Sequence, residues 1–256
     1  MNTEFYSEPQ ETVTYHYRSK NTKKFNLNLK LPENIDKPLL FNMLNVFVSG
    51  LLGGIAFSVG ATAFLSISNK PLGAAVFAIG MFMILAYGFG FYTSKLGYCL
   101  KANKAQNLSL IPLWLGNFLG AVISGGILAL TREDVAEILS KRANQISVPR
   151  VSDSPLSIII LAFFCGIIMF VIVDNYKNAK NAAQRYLPIF LGTMTFLLCG
   201  FDHFVSSAFF FTISGNLNLK GFWCILLTAL GNSLGALAIP LSHNAVKLLQ
   251  KAANNK

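Results

Sequence analysis

Asp202 and His203 stand inside the run Cys199-Gly200-Phe201-Asp202-His203-Phe204-Val205-Ser206-Ser207, an acid and an imidazole in an otherwise apolar stretch. Thr93 and Ser94 follow Gly88-Phe89-Gly90-Phe91-Tyr92 in a second apolar stretch. Imidazole is the one side chain here with an ordinary pKa near 6.5, so it can hand over a proton or stay neutral and donate a hydrogen bond. Hydroxyls at Thr93 and Ser94 can donate to an anion, or only cap a half-helix. Asp202 can cap the helix that follows it or hold the imidazole. The bland alternative for His203 is a neutral ring bonded between helices. Ionisable groups at membrane depth are costly, which favours a functional reading.

The elements carrying these residues are membrane spans. The chain is 53% hydrophobic and only 12% charged, with a mean hydropathy of +0.51. A soluble domain carries roughly 25% charged residues. A span needs about 20 apolar residues, and six candidates are expected: 40–67, 71–100, 108–130, 156–174, 186–213 and 219–249. The expected organisation is a polar segment over 1–38, a channel body over 39–250 and a short tail over 251–256. Within the body, 39–131 and 156–250 form two halves joined by a surface segment over 132–155. Glu133–Ala143 of that segment has helical character.

Two motifs copy each other. Gly116-Asn117-Phe118-Leu119-Gly120-Ala121 and Gly231-Asn232-Ser233-Leu234-Gly235-Ala236 lie 115 residues apart (231 − 116) and close the two halves. A duplicated block with three spans enters and leaves on opposite sides, so its copy lies upside down. An inverted repeat with a pathway between its halves follows. The second and fifth spans hold matching places and carry the glycine interruptions. Unwound backbone at membrane depth is tolerated only where protein or a cavity satisfies it. Gly88, Gly90 and Gly200 are expected to break these helices. Asn117 and Asn232 are expected to bond the exposed backbone. Gly50, Gly53, Gly54 and Gly60 fit close helix packing.

Fifteen of the 21 Lys and Arg fall on the side of the termini and six on the other. The positive-inside rule makes both termini cytoplasmic, in an inner (plasma) membrane. The net charge of +10 therefore reflects topology, and no nucleic-acid partner is expected. Cys99, Cys165, Cys199 and Cys224 form no C-x-x-C pair, so neither metal nor cofactor is expected. An enzyme would need a nucleophile–base pair or a metal cluster. The histidines are only His16, His203 and His243, and no enzyme activity is expected.

At these residues the chain resembles the formate/nitrite transporter family, which includes formate, nitrite and hydrosulfide channels. Ser49–Phe57 is similar to its small-residue first helix, and Gly88–Ser94 to its G-A-[DE]-L-F-T-[SG] loop. Gly116-Asn117 and Gly231-Asn232 match its G-N motifs, and Gly200-Phe201-Asp202-His203 its G-F-E-H motif. The resemblance covers about residues 40–250. It implies an all-α, aquaporin-like protomer of six helices with helices 2 and 5 broken. It implies a homopentamer in membrane lipid, with one pore per protomer for small monovalent anions or their acids. It maps the pore histidine to His203, the loop threonine to Thr93, and constriction aromatics to Phe196 and Tyr92, with Phe91 at a further constriction position. Phe201 is a further aromatic expected along the path. Gly90 stands in place of the loop acid, Phe170 in place of a fourth-span asparagine, and Ser154 near the place of a vestibule lysine. Asp202 stands where Glu is commoner.

Moving a bare anion through an apolar constriction costs tens of kcal/mol in the Born limit. Protonating a carboxylate at pH 7 costs about 4 kcal/mol. His203 is therefore expected to supply the proton, or to remain neutral and donate a hydrogen bond. A neutral-solute channel and a non-conducting relative are the competing readings. The first lacks the Asn-Pro-Ala pair of water channels. The second is motivated by Gly90 and Phe170.

Overall fold

The computed structural model describes residues 37–254. The expected N-terminal polar segment lies outside the described residues, apart from its last two positions. The described chain forms ten helices. α1 (Lys37–Ser66), α2 (Lys70–Tyr87), α3 (Tyr92–Leu96), α4 (Lys104–Leu108) and α5 (Leu110–Ala129) make the first half. α6 (Glu133–Val151) links it to α7 (Pro155–Asn178), α8 (Ala182–Leu198), α9 (Phe204–Ile213) and α10 (Leu219–Asn254). They make five spans long and apolar enough to cross a membrane, namely α1, α2, the α4–α5 unit, α7 and α10; α9 is apolar but shorter.

The helices start where local chemistry permits. Asn69 caps α2 by accepting from the Leu72 amide at 3.0 Å, with Pro71 in the first turn. Asn181 caps α8 through the Gln184 amide at 2.8 Å. Ser154 accepts from the Ser157 amide and caps α7. It therefore serves the helix start.

Large apolar side chains point outward along the long helices: Leu44, Val48 and Val59 on α1, Ile160 and Phe164 on α7, Leu230 and Leu234 on α10. Exposing that much apolar surface to water at about 25 cal/mol per Å² is untenable, so hydrocarbon or another copy covers it. The inner side is the reverse. Phe204, Val205, Ala208, Phe209, Phe210 and Phe211 make α9 buried on all sides.

Each half packs internally through the same small-residue device. A Cβ at Gly116 or Gly120 would overlap the Phe47 and Leu51 carbonyls of α1. A Cβ at Gly231 or Gly235 would overlap the Ile159 and Phe163 carbonyls of α7. The duplicated G-N-x-L-G motif is thus a surface for close backbone approach. The link helix is longer and deeper than its helical character suggested. α6 runs on to Val151 and buries Leu139, Ala143 and Ser147. Arg142 fixes it by donating to the Leu65 carbonyl at 2.6 Å and to Ser68 Oγ at 2.8 Å.

Candidate functional site

The chain leaves helical geometry between α2 and α3 and again between α8 and α9. Both interruptions are built alike. Gly88 has φ +69° and Gly200 has φ +73°, the left-handed region that suits glycine and ends a helix. The next amide folds back in each case: Phe89 N–H donates to Ile84 O at 2.9 Å, and Phe201 N–H to Phe196 O at 2.9 Å. The helix then restarts behind Phe91 or His203, each in extended conformation at the N-cap. Ser94 Oγ donates to Phe91 O at 2.7 Å, and Ser206 Oγ to His203 O at 2.9 Å. Ser94 thereby serves the backbone of the break.

One asparagine holds each interruption. Asn117 Nδ2 donates to Gly50 O at 2.7 Å and Gly90 O at 2.9 Å, while its Oδ1 accepts from the Tyr92 amide at 2.8 Å. Asn232 Nδ2 donates to Ala162 O and Asp202 O, both at 2.8 Å, and its Oδ1 accepts from the Phe204 amide at 3.0 Å. Both asparagines are fully buried. Buried backbone groups that helix geometry cannot pair are here paired by a side chain.

The two restarts bring His203 and Thr93 together. His203 Nε2 lies 3.3 Å from Thr93 Oγ1, and both residues are fully buried. Nδ1 of the same ring accepts from the Val205 amide at 3.3 Å, which makes His203 its own N-cap. An accepting Nδ1 carries no proton, so the ring is neutral and its hydrogen is on Nε2, directed at Thr93. Phe91 stacks on the imidazole at 5.1 Å and 7°. Phe57 and Phe204 flank it at 5.1 and 5.2 Å. Beyond Phe57, Phe77 stands edge-on at 5.0 Å, and Phe196 edge-on to Phe77 at 5.4 Å. The polar pair therefore sits at the end of a plug of aromatic rings.

Asp202 neither caps α9 nor touches the imidazole through its carboxylate. Arg150 reaches in from α6 and forms a close ion pair with Asp202 Oδ1. Arg150 Nη1 also lies 3.4 Å from Ser207 Oγ, and the guanidinium 5.7 Å from the Phe210 ring centre. Only 14% of the Arg150 side chain and 2% of that of Asp202 are exposed.

Three of the residues expected along the pathway lie outside the ring cluster. Tyr92 turns away from His203: its hydroxyl meets Ser233 Oγ at 3.1 Å, beside an outer groove between α5 and α10. Phe201 stacks on Phe164 at 5.5 Å, on the apolar exterior. Phe170 packs on Leu96, Ala236 and Tyr98. Thr93, Phe91 and Phe196 are in or next to the ring cluster. Arg150, Phe57 and Phe77 belong to the same constellation and carry no sequence signal that separates them from other arginines and phenylalanines.

The formate/nitrite transporter family model matches residues 29–243. The chain belongs to the formate/nitrite transporter family. A "Pentameric formate channel with formate bound" shares 18% identity, with a TM-score of 0.68 over 81% of this chain and 98% of that one. An "FNT family ion channel" shares 17% identity, with a TM-score of 0.67 over 78% and 88%. These likenesses establish the fold. No curated protein matches the chain. This member of the formate/nitrite transporter family is an integral, multi-pass membrane protein.

Proposed function

We propose that the protein conducts formate-sized monovalent anions, as their conjugate acids, through a pore in each protomer of a homopentamer. Its expected substrates are formate, nitrite or hydrosulfide. The observation that carries this reading is the buried contact of His203 Nε2 with Thr93 Oγ1 where two interrupted helices meet. Family membership supports the channel class. The pentameric neighbour holds formate, which supports both the assembly and the size of the cargo.

In this reading α8 and α9 together make a sixth crossing. The excess of Lys and Arg on the side of the termini puts both ends in the cytoplasm. The channel body is residues 39–250.

The rings around His203 decide the form that crosses. A bare anion among Phe57, Phe77, Phe91 and Phe196 has no dipoles to replace its water, at a Born cost of tens of kcal/mol. Taking a proton costs about 4 kcal/mol for a carboxylate at pH 7. The neutral acid is the cheaper species. His203 was expected either to give that proton or to stay neutral. The bond from the Val205 amide to Nδ1 supports the second role. His203 then donates Nε2–H to Thr93, which leaves the Thr93 hydroxyl proton for the carbonyl oxygen of the passing acid. The proton comes from water on one side and is released to water on the other.

The test is uptake of labelled formate into proteoliposomes by wild type and Thr93→Val. Loss of the hydroxyl should slow uptake by about tenfold, the worth of one hydrogen bond in a dry site. Equal uptake by the variant would remove the pair from the pathway.

A further inference from the structure

α10 is longer than one crossing needs. Its 36 residues reach about 54 Å at 1.5 Å per residue, against a hydrocarbon core of about 30 Å. About 20 residues from Leu219 bring it to about residue 238, and every residue over 241–254 is exposed. The helix is weakened where the excess begins. Pro240 lies inside it and has no N–H to give the Ala236 carbonyl. Just beyond, side chains hold the neighbouring carbonyls. Ser242 Oγ donates to Ala238 O at 2.8 Å, and His243 Nδ1 lies 3.2 Å from Ile239 O. Serine back-bonding of this kind bends helices.

Past Pro240 the sequence changes character. At about 100° per residue, Leu241, Ala245, Val246, Leu248, Leu249 and Ala252 fall in one arc of about 160°. Leu248 and Leu249 are 68% and 71% exposed. Lys247 and Lys251 lie four residues apart on the opposite face, and no Asp or Glu follows Asp202 in the chain. Like charges at this spacing destabilise a helix unless an anionic surface meets them. A second copy of the same helix brings more lysines and no acid, and a coiled-coil seam is narrower than this arc. A leaflet with anionic headgroups fits both faces. We infer that residues 241–254 are an interfacial anchor, turned at Pro240 so that Leu241, Leu248 and Leu249 enter the acyl boundary while Lys247 and Lys251 meet lipid phosphates. The inference is independent of what the pore carries.

The test uses the full-length protein in lipid nanodiscs, which leave both membrane faces open, and needs no transport. The four native cysteines are replaced, and an NBD fluorophore is attached at Leu248→Cys or, on the polar side, at Gln250→Cys. Both positions are exposed and past the span, so folding is preserved. In phosphatidylglycerol nanodiscs, brominated acyl chains should quench the fluorophore at position 248, and aqueous iodide should quench it at position 250. The double variant Lys247→Gln, Lys251→Gln should leave position 248 about tenfold more open to iodide, and so should phosphatidylcholine nanodiscs. Iodide quenching of both positions alike in phosphatidylglycerol would overturn the anchor. Protection of position 248 from iodide without quenching by brominated lipid would assign the arc to a neighbouring copy, and would overturn it too. Protection that is equal in both lipids and indifferent to the lysines would overturn the recognition of anionic headgroups. Each result holds whether or not formate crosses the pore.

Discussion

Phe91 and His203 hold equivalent places in the two halves and lie face to face, 5.1 Å apart and within 7° of parallel. Each follows a left-handed glycine, each is the N-cap of the restarting helix, and each lends its carbonyl to a serine three residues on. The duplication has thus placed one phenyl and one imidazole on the two sides of a single contact. Only the imidazole can bond Thr93.

His203 acts as cap and donor in this geometry, so it can be replaced in stages. His203→Asn retains a good N-cap side chain, and its melting temperature should stay close to wild type. His203→Ala loses the cap and should cost about 1 kcal/mol, read as a fall in melting temperature. Both should transport more slowly. The dependence of uptake on external pH should keep its shape in His203→Asn, because the ring is not the titrating group. A flattened pH profile in that variant would restore a proton-donor role.

Asn117→Ala and Asn232→Ala should each unfold the protein or prevent its assembly. Each removes two donors and one acceptor from buried backbone groups. Orphaned buried groups cost roughly 1–3 kcal/mol apiece. An ionised Asp at either place accepts but cannot donate to the two carbonyls, so Asn→Asp should fail too. Thermal melting in detergent reads this, and a stable Asn117→Ala protein would contradict the clamp.

Arg150 and Asp202 should behave as a coupled pair. Removing one member leaves a buried charge alone, at roughly 3–5 kcal/mol. Arg150→Met and Asp202→Asn should each destabilise strongly, and the double variant should recover much of the loss. A double-mutant cycle on melting checks it, and additive effects would show that the two side chains act independently.

Phe77→Ala should loosen the ring plug. Deleting a buried phenyl costs about 3–5 kcal/mol, so the variant should melt earlier. It should also let water reach His203 and admit the charged form. Anion current across a planar bilayer should appear where wild type passes none.

Much of this was legible in the residues, and the reasons are physical. Gly88 and Gly200 could be read as helix ends because glycine reaches positive φ cheaply. Asn117 and Asn232 could be read as clamps because their motif repeats and buried amides need partners. The directions of side chains around each interruption could not be read. Tyr92 and Phe201 sit beside the key residues in sequence yet face Ser233 and Phe164, because the irregular backbone at each interruption follows no repeat period from which a side-chain direction could be read. Arg150 was missed because it belongs to α6, whose depth depends on burial of Leu139, Ala143 and Ser147. Phe57 and Phe77 were lost among 22 phenylalanines. Only tertiary contacts single them out, Phe57 against His203 and Phe77 against Phe57.

The most direct measurement records formate uptake and membrane current together in one reconstituted preparation, at fixed formate and stepped external pH. Passage of the neutral acid gives uptake that rises about tenfold per pH unit of acidification, with no net current and with lumenal acidification. Uptake that ignores pH and carries a current reversing with the formate gradient would mean that the bare anion crosses the rings, contrary to the mechanism proposed for His203 and Thr93.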